Sequence, residues 1–418
     1  MSAKTVLSQA VRLRRALHSR AESAFCEWQT FHYLKELFKG QPVTVRFIPK
    51  QTVIKHKDLI PADLICADEQ APIPGMIVTL KIHDKDENHP YHAAIRCDLD
   101  GLPIEESSSP QHLPLQLNFR AENGCMHACG HDGHMAIAVC SFLHFIRHRE
   151  ELAHSPYNCL SLICQPAEEG CRGALMIKDA GFLDDIDELW CFHLGMGLGS
   201  GIIAPNPYGF LATEKFNLSF YGQKAHAGHP ELGVNALLPL CHTIEKALCL
   251  TDSTKQRYVN FSNVHCEGAR NIIPDLASCE GELRAGTGDS LQHLKQQLFD
   301  IIADTRAEKF SAQSSQGTLR YRYTVKGQAG PVKQSADLVL RATQTAQSLG
   351  LKCSDFDFKA SEDASLLIDY VQKRGGRGCY IVIGADIRAP HHNPLFDFDE
   401  RALEYGTRLL ISLFNVTN

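Results

Sequence analysis

The chain has 418 residues, 44% hydrophobic and 22% charged, which is the make-up of an ordinary globular protein too long for one core. Acidic residues exceed basic ones by 48 to 42, a formal net charge of −6, which argues against a nucleic-acid or anionic-membrane partner. Arginines at 12, 14 and 15 interrupt the first twenty residues as a leader, and no apolar run approaches the roughly 18 residues of a membrane helix, so a cytoplasmic protein is expected. The 16 cysteines are then read as reduced, mostly buried thiols.

In chain order, residues 4–39 read as helix, with Leu7, Val11, Leu17, Trp28, Phe31 and Leu34 at helical spacing. Strands are expected at 75–82, 91–98, 157–164 and 189–193, and helices at 133–151 and 170–180. Residues 209–327 change rhythm: strand 215–221, helix 234–250, strands 258–266 and 277–284, helix 290–310, strand 319–326. That β-α-β-β-α-β order is the one of a split βαβ sandwich, a compact unit inserted in the larger domain. The chain then returns to helices at 333–349 and 362–374, a strand at 379–384 and a helix at 400–413. The expected fold is α/β: a larger domain (1–208 and 328–418) with a mixed sheet flanked by helices, plus the insert at 209–327.

Four clusters carry chemistry. Met126 to His134 packs three histidines, Cys129 and Asp132 around two glycines. A lone Cys-Gly-His would be better explained as a redox thiol or a polar loop, but this density favours metal, zinc through thiolate and imidazole or manganese through imidazole and carboxylate. Gln165-Pro166-Ala167-Glu168-Glu169-Gly170 follows a buried strand, where α/β sheets bind ligands. Two adjacent carboxylates can divide labour, one on metal and one taking a proton from water. His193 ends another apolar strand, and His391-His392-Asn393-Pro394 follows the last one. Each alone is more simply a structural residue. Together they supply Cys, His, Glu, His and His, a set for two divalent cations. In the insert, His226 and Asn271 stand out, and the histidine is either a turn residue or a group that meets a developing oxyanion.

These stretches, with Arg14 to His18, Arg96 to Pro103, Gly222 to Gly228, Ser361 to Ala364 and His391 to Glu400, resemble in order the zinc aminoacylase/carboxypeptidase metallohydrolase family. The likeness is to its amidohydrolase branch of hippurate and auxin-conjugate hydrolases, and within it to p-aminobenzoyl-glutamate hydrolase A-type subunits. It implies that Cys129, His131, Glu169, His193 and His392 bind two zinc or manganese ions and that Glu168 is the general base. His392 is chosen over His391 because it directly precedes Asn393-Pro394. The resemblance further implies that His226 stabilises the transition state, and that Asn271 and Arg284 hold the substrate, an N-acyl amino acid. It makes the insert a ferredoxin-like α+β lid, expected to dimerise with a second copy or to meet a paralogous subunit. Ala21, Cys97, Gly101 and Gln223-Lys224 depart from the branch pattern, and none is a proposed ligand. The competing expectations are a dipeptidase or carboxypeptidase of the same family, a non-enzymatic zinc protein, and a redox role for Cys129.

Overall fold

The computed structural model describes residues 3–66, 70–86, 90–307 and 318–414. The chain forms two compact units. The first comprises residues 1–208, 332–358 and 363–418; the second comprises residues 209–331 and 359–362. The expected boundary at 327/328 therefore falls too early, inside the strand Arg320–Ala329, which pairs with its neighbour to its last residue.

The strands, numbered along the chain, are β1 (Thr44–Phe47), β2 (Met76–Lys81), β3 (Tyr91–Asp98), β4 (Tyr157–Gln165), β5 (Glu188–Leu194), β6 (Ile202–Ala204), β7 (Ala212–Tyr221), β8 (Ala225–His226), β9 (Arg257–His265), β10 (Ile272–Ile273), β11 (Leu276–Ala285), β12 (Arg320–Ala329), β13 (Lys352–Cys353) and β14 (Arg377–Ile383). The first unit holds one mixed sheet in the order β1-β2-β4-β3-β5-β14-β6-β13. Its centre is parallel, since β3 runs with both β4 and β5 and β14 runs with β5. Every residue of β5 is buried, and β4 and β14 are buried nearly throughout, as expected of strands covered on both faces. Helices α1 (Ala3–His18), α2 (Trp28–Phe38), α3 (Lys50–Lys55), α4 (Leu113–Gln116), α5 (His131–Arg147) and α6 (Gly173–Asp179) precede the second unit. That unit contributes α7 (Leu237–Leu248) and α8 (Gly288–Ala307), and the chain ends with α9 (Ala336–Ser348), α10 (Ala364–Lys373) and α11 (Arg401–Phe414). Helices α1, α5 and α11 pack on one another, while α6 packs against α10.

The single helix expected over 4–39 is broken. Phe25 takes a left-handed φ of 66°, and the Glu22 carboxylate accepts the N–H groups of Gln29 and Thr30 at the start of α2. Those are the donors a helix start leaves unpaired, so Glu22 nucleates a second helix. The helix expected from Gly170 begins only at Gly173, because Cys171 also has positive φ.

The second unit is an antiparallel sheet in the order β12-β7-β11-β9, with α7 packed on α8. Its own core includes Phe216, Leu218, Phe220, Leu294 and Leu298. The expected helix 290–310 is seen to Ala307, and its last residues lie outside those described.

Candidate metal centre

The parallel strands β3, β4, β5 and β14 bring their carboxyl ends to one edge of the sheet, and the loops that leave it carry the clustered residues. Cys129, His131 and His193 have ligand atoms within 4.8 Å of one another, as do Cys129, Glu169 and His392, and His131, Glu168 and Glu169. These overlapping sets join all five expected ligands and Glu168 into one cluster within the first unit. The Cys129 Sγ lies 3.5 Å from His193 Nε2, and Glu169 Oε2 lies 3.5 Å from His392 Nε2. The His131 Nε2 stands 3.9 Å from both Glu168 Oε2 and Glu169 Oε1.

Local backbone aims these groups. Gly130 (φ 88°) turns the chain into α5, so that Cys129 and His131 both face the cluster. His392 has a positive φ of 64°, and its N–H is tied to the Ala128 carbonyl at 2.8 Å. Its neighbour His391 does a different job: its Nε2 accepts the Met196 N–H at 3.0 Å, and its ring packs on Phe396. Burial and the nearby His134 push His391 down to about 3, which keeps it neutral.

The residues fit divalent cations. His131 Nδ1 donates to the Asp100 carbonyl at 2.7 Å and His193 Nδ1 to the Leu194 carbonyl at 2.8 Å, which turns both Nε2 lone pairs inward. The buried His131 Nε2 has no hydrogen-bond partner among the described residues, an orphan that a cation would satisfy. Burial and His134 hold His193 well below the usual imidazole range, the neutral form that ligation needs. Burial and the Glu169 charge push the Cys129 thiol up, and a coordinating cation would reverse that. Thiolate, imidazole and carboxylate together suit zinc.

Sequence reasoning missed the supports. His134 cannot ligate as it stands, because its Nε2 accepts the Leu194 N–H at 2.9 Å and its Nδ1 donates to Asp98 at 2.7 Å. Asp98 in turn accepts from Arg96, which also reaches Gln165 and Asp363. Arg96, Asp98 and Asp100 alternate along β3 and its end, and that period of two was the available signal.

In the second unit, β8 pairs with β10, opposing His226 to Ile272 beside Asn271. Both His226 and Asn271 are exposed. Arg284 does not join them. It lies eight residues along β11 from Leu276, about 27 Å at strand rise, and its Nε donates to Glu282 at 2.9 Å.

Known proteins share this chain's sequence and fold. The family model of peptidase family M20/M25/M40 matches residues 94–415. The A-type subunit of the p-aminobenzoyl-glutamate hydrolase of Escherichia coli (strain K12) is 34% identical over 324 residues, 76% of this chain and 72% of that protein. The indole-3-acetyl-aspartic acid hydrolase of Enterobacter agglomerans is 28% identical over 440 aligned residues, 97% of this chain and 95% of that protein. Among solved structures, the aminobenzoyl-glutamate utilization protein of Klebsiella pneumoniae superimposes with a TM-score of 0.74 at 22% identity, over 99% of this chain and 96% of that one. A Bacillus subtilis protein described as a dinuclear metal-binding peptidase of the M20 family gives 0.70 at 20% identity, over 99% and 98%. The match over three quarters of the sequence settles the family: this chain is a hydrolase of peptidase family M20/M25/M40.

Proposed function

We propose that this hydrolase cleaves the amide bond of an N-acyl amino acid, with p-aminobenzoyl-glutamate the first substrate to try, at a centre of two divalent cations held by Cys129, His131, Glu169, His193 and His392. The observation that carries the reading is the convergence of those side chains, with Glu168 among them, from positions 129 to 392. The 34% identical relative named p-aminobenzoyl-glutamate hydrolase supports the substrate class, and the description of the Bacillus subtilis protein supports the pair of cations.

Such cations, when bound, lower the pKa of water toward about 7 and polarise a carbonyl. Glu168 then serves as the base, taking the proton of the attacking water and handing it to the departing amine nitrogen. His226 accepts the Gly228 N–H at Nδ1, 3.0 Å, so its neutral ring carries its proton on Nε2, the form that can donate to an oxyanion. We assign His226 that part, and Asn271 and Arg284 the holding of the substrate, in an inserted ferredoxin-like lid, whose partner is a second copy or a paralogous subunit. Two relatives are named for one lettered subunit of a hydrolase, which favours some such partner. No helix among the described residues is long and apolar enough to cross a membrane.

Glu168→Gln tests the reading. It should leave metal content unchanged and cut turnover of p-aminobenzoyl-glutamate about 10²–10⁴-fold. Full activity in that variant removes Glu168 from the mechanism.

A further inference from the structure

Three consecutive backbone N–H groups precede or belong to the paired carboxylates, and two buried acidic side chains receive all three. Ala167 N–H donates to Glu27 Oε1 at 2.8 Å. Glu168 N–H donates to Asp100 Oδ1 at 2.9 Å, and Glu169 N–H to Asp100 Oδ2 at 3.0 Å. Glu27 and Asp100 are both fully buried. Asp100 also fixes His131, whose Nδ1 donates to the Asp100 main-chain carbonyl. One residue thus holds the imidazole on one side of the cluster and both glutamates on the other.

The turn needs such a hold. Ala167 sits at φ 55° and Cys171 at φ 54°, left-handed conformations that L-residues with a Cβ rarely adopt. Proline at 166 has no N–H, so residues 167 to 169 are the first donors available after β4. A carboxylate that accepts two adjacent N–H groups fixes the direction of both residues, hence where their side chains leave the backbone.

We propose that Asp100, assisted by Glu27, is the positioning residue that sets Glu168 and Glu169 against His131, so that the centre's geometry depends on it although it supplies no ligand. The inference rests on the proposed metal centre. Supports of this kind are worth about 10–100-fold in metal affinity or activity.

Asp100→Asn keeps the size but presents an NH₂ group to one of the two N–H donors. Purified wild-type and variant protein are stripped with chelator and titrated with Zn²⁺ against a chromophoric competitor, and Co²⁺ is bound to each to record its visible spectrum. Asp100→Asn should weaken the Zn²⁺ affinity about 10–100-fold and shift the Co²⁺ bands, because the Glu169 carboxylate is re-aimed. Wild-type affinity together with an unchanged Co²⁺ spectrum overturns the proposal. Should Asp100→Asn fail to fold, Glu27 decides. Glu27→Gln retains an acceptor for the Ala167 N–H and should match wild type, whereas Glu27→Leu should lose affinity. Equal affinity in all three overturns the proposal. Wild-type protein that binds no zinc sinks the metal reading and this inference together. Wild type that binds two ions, beside an equally tight Asp100→Asn, sinks this inference alone.

Discussion

His18 illustrates how much of this protein's chemistry lies beneath the centre. Its Nδ1 is 2.8 Å from Asp132 and its Nε2 is 3.0 Å from Glu106, all fully or nearly fully buried. A neutral imidazole can donate from only one nitrogen, so two carboxylate partners call for the imidazolium. Burial opposes that charge, but the bonds to Asp132 and Glu106 outweigh it and raise His18 from 6.5 to about 9. A folded-state value above the unfolded one stabilises the native state fully below pH 6.5, and that stabilisation is lost as pH rises through about 9. Denaturant midpoints measured from pH 6 to 10 should therefore fall more steeply for wild type than for His18→Gln; parallel curves would contradict the assignment. At this scale the sequence was informative about residue type. Cysteine, histidine and glutamate beyond apolar strands marked Cys129, His131, Glu168, Glu169 and His193 as a group. The choice of His392 over His391 came from the Asn393-Pro394 step of the resemblance, and the left-handed φ at His392 was not legible in it. The alternation that includes Asp100 was legible, but what Asp100 bonds shows only when β4 lies beside β3.

At the scale of elements, the N-terminal helix is held through Arg14 as well as through Arg15 and His18. Arg14 Nε reaches Asp132 at 2.7 Å, Nη2 reaches Asp397 at 2.7 Å and Nη1 reaches Glu400 at 3.2 Å. That guanidinium ties α1 to the start of α5, which presents His131, and to the loop after His392. Arg14→Met would leave the buried Asp132 and Asp397 without it, and breaking a buried pair this way costs about 3–5 kcal/mol. Urea unfolding should show that loss, and a loss under about 1 kcal/mol would place the network with surface pairs. The long elements were readable because burial on both faces writes apolar runs into β4 and β5, and helical periodicity into α5 and α11. The short strands β1, β6 and β13 were not foreseen. They span two to four residues, and their pairing is imposed by β2, β14 and each other rather than by their own pattern.

For the molecule as a whole, the proposed ligands lie far apart along the chain and meet only once the first unit's sheet has formed. An unfolded chain holds Cys129 and His392 at no fixed distance, so it offers cations far less than the native state does. Metal binding must then appear as folding stability. Each site saturated to about 100 times its dissociation constant contributes roughly 2.7 kcal/mol. Chelation should therefore lower the melting temperature, and Zn²⁺ or Mn²⁺ added back should restore it. Elemental analysis of the restored protein should find two exchangeable ions per chain. A structural zinc protein predicts the opposite pattern: one ion that resists exchange, held in a closed site. A redox role for Cys129 predicts a third, in which oxidant changes activity without any metal present. A melting temperature indifferent to chelation would remove the cations from the centre, and with them the reason for a thiol, three imidazoles and a pair of carboxylates to share one edge of the sheet.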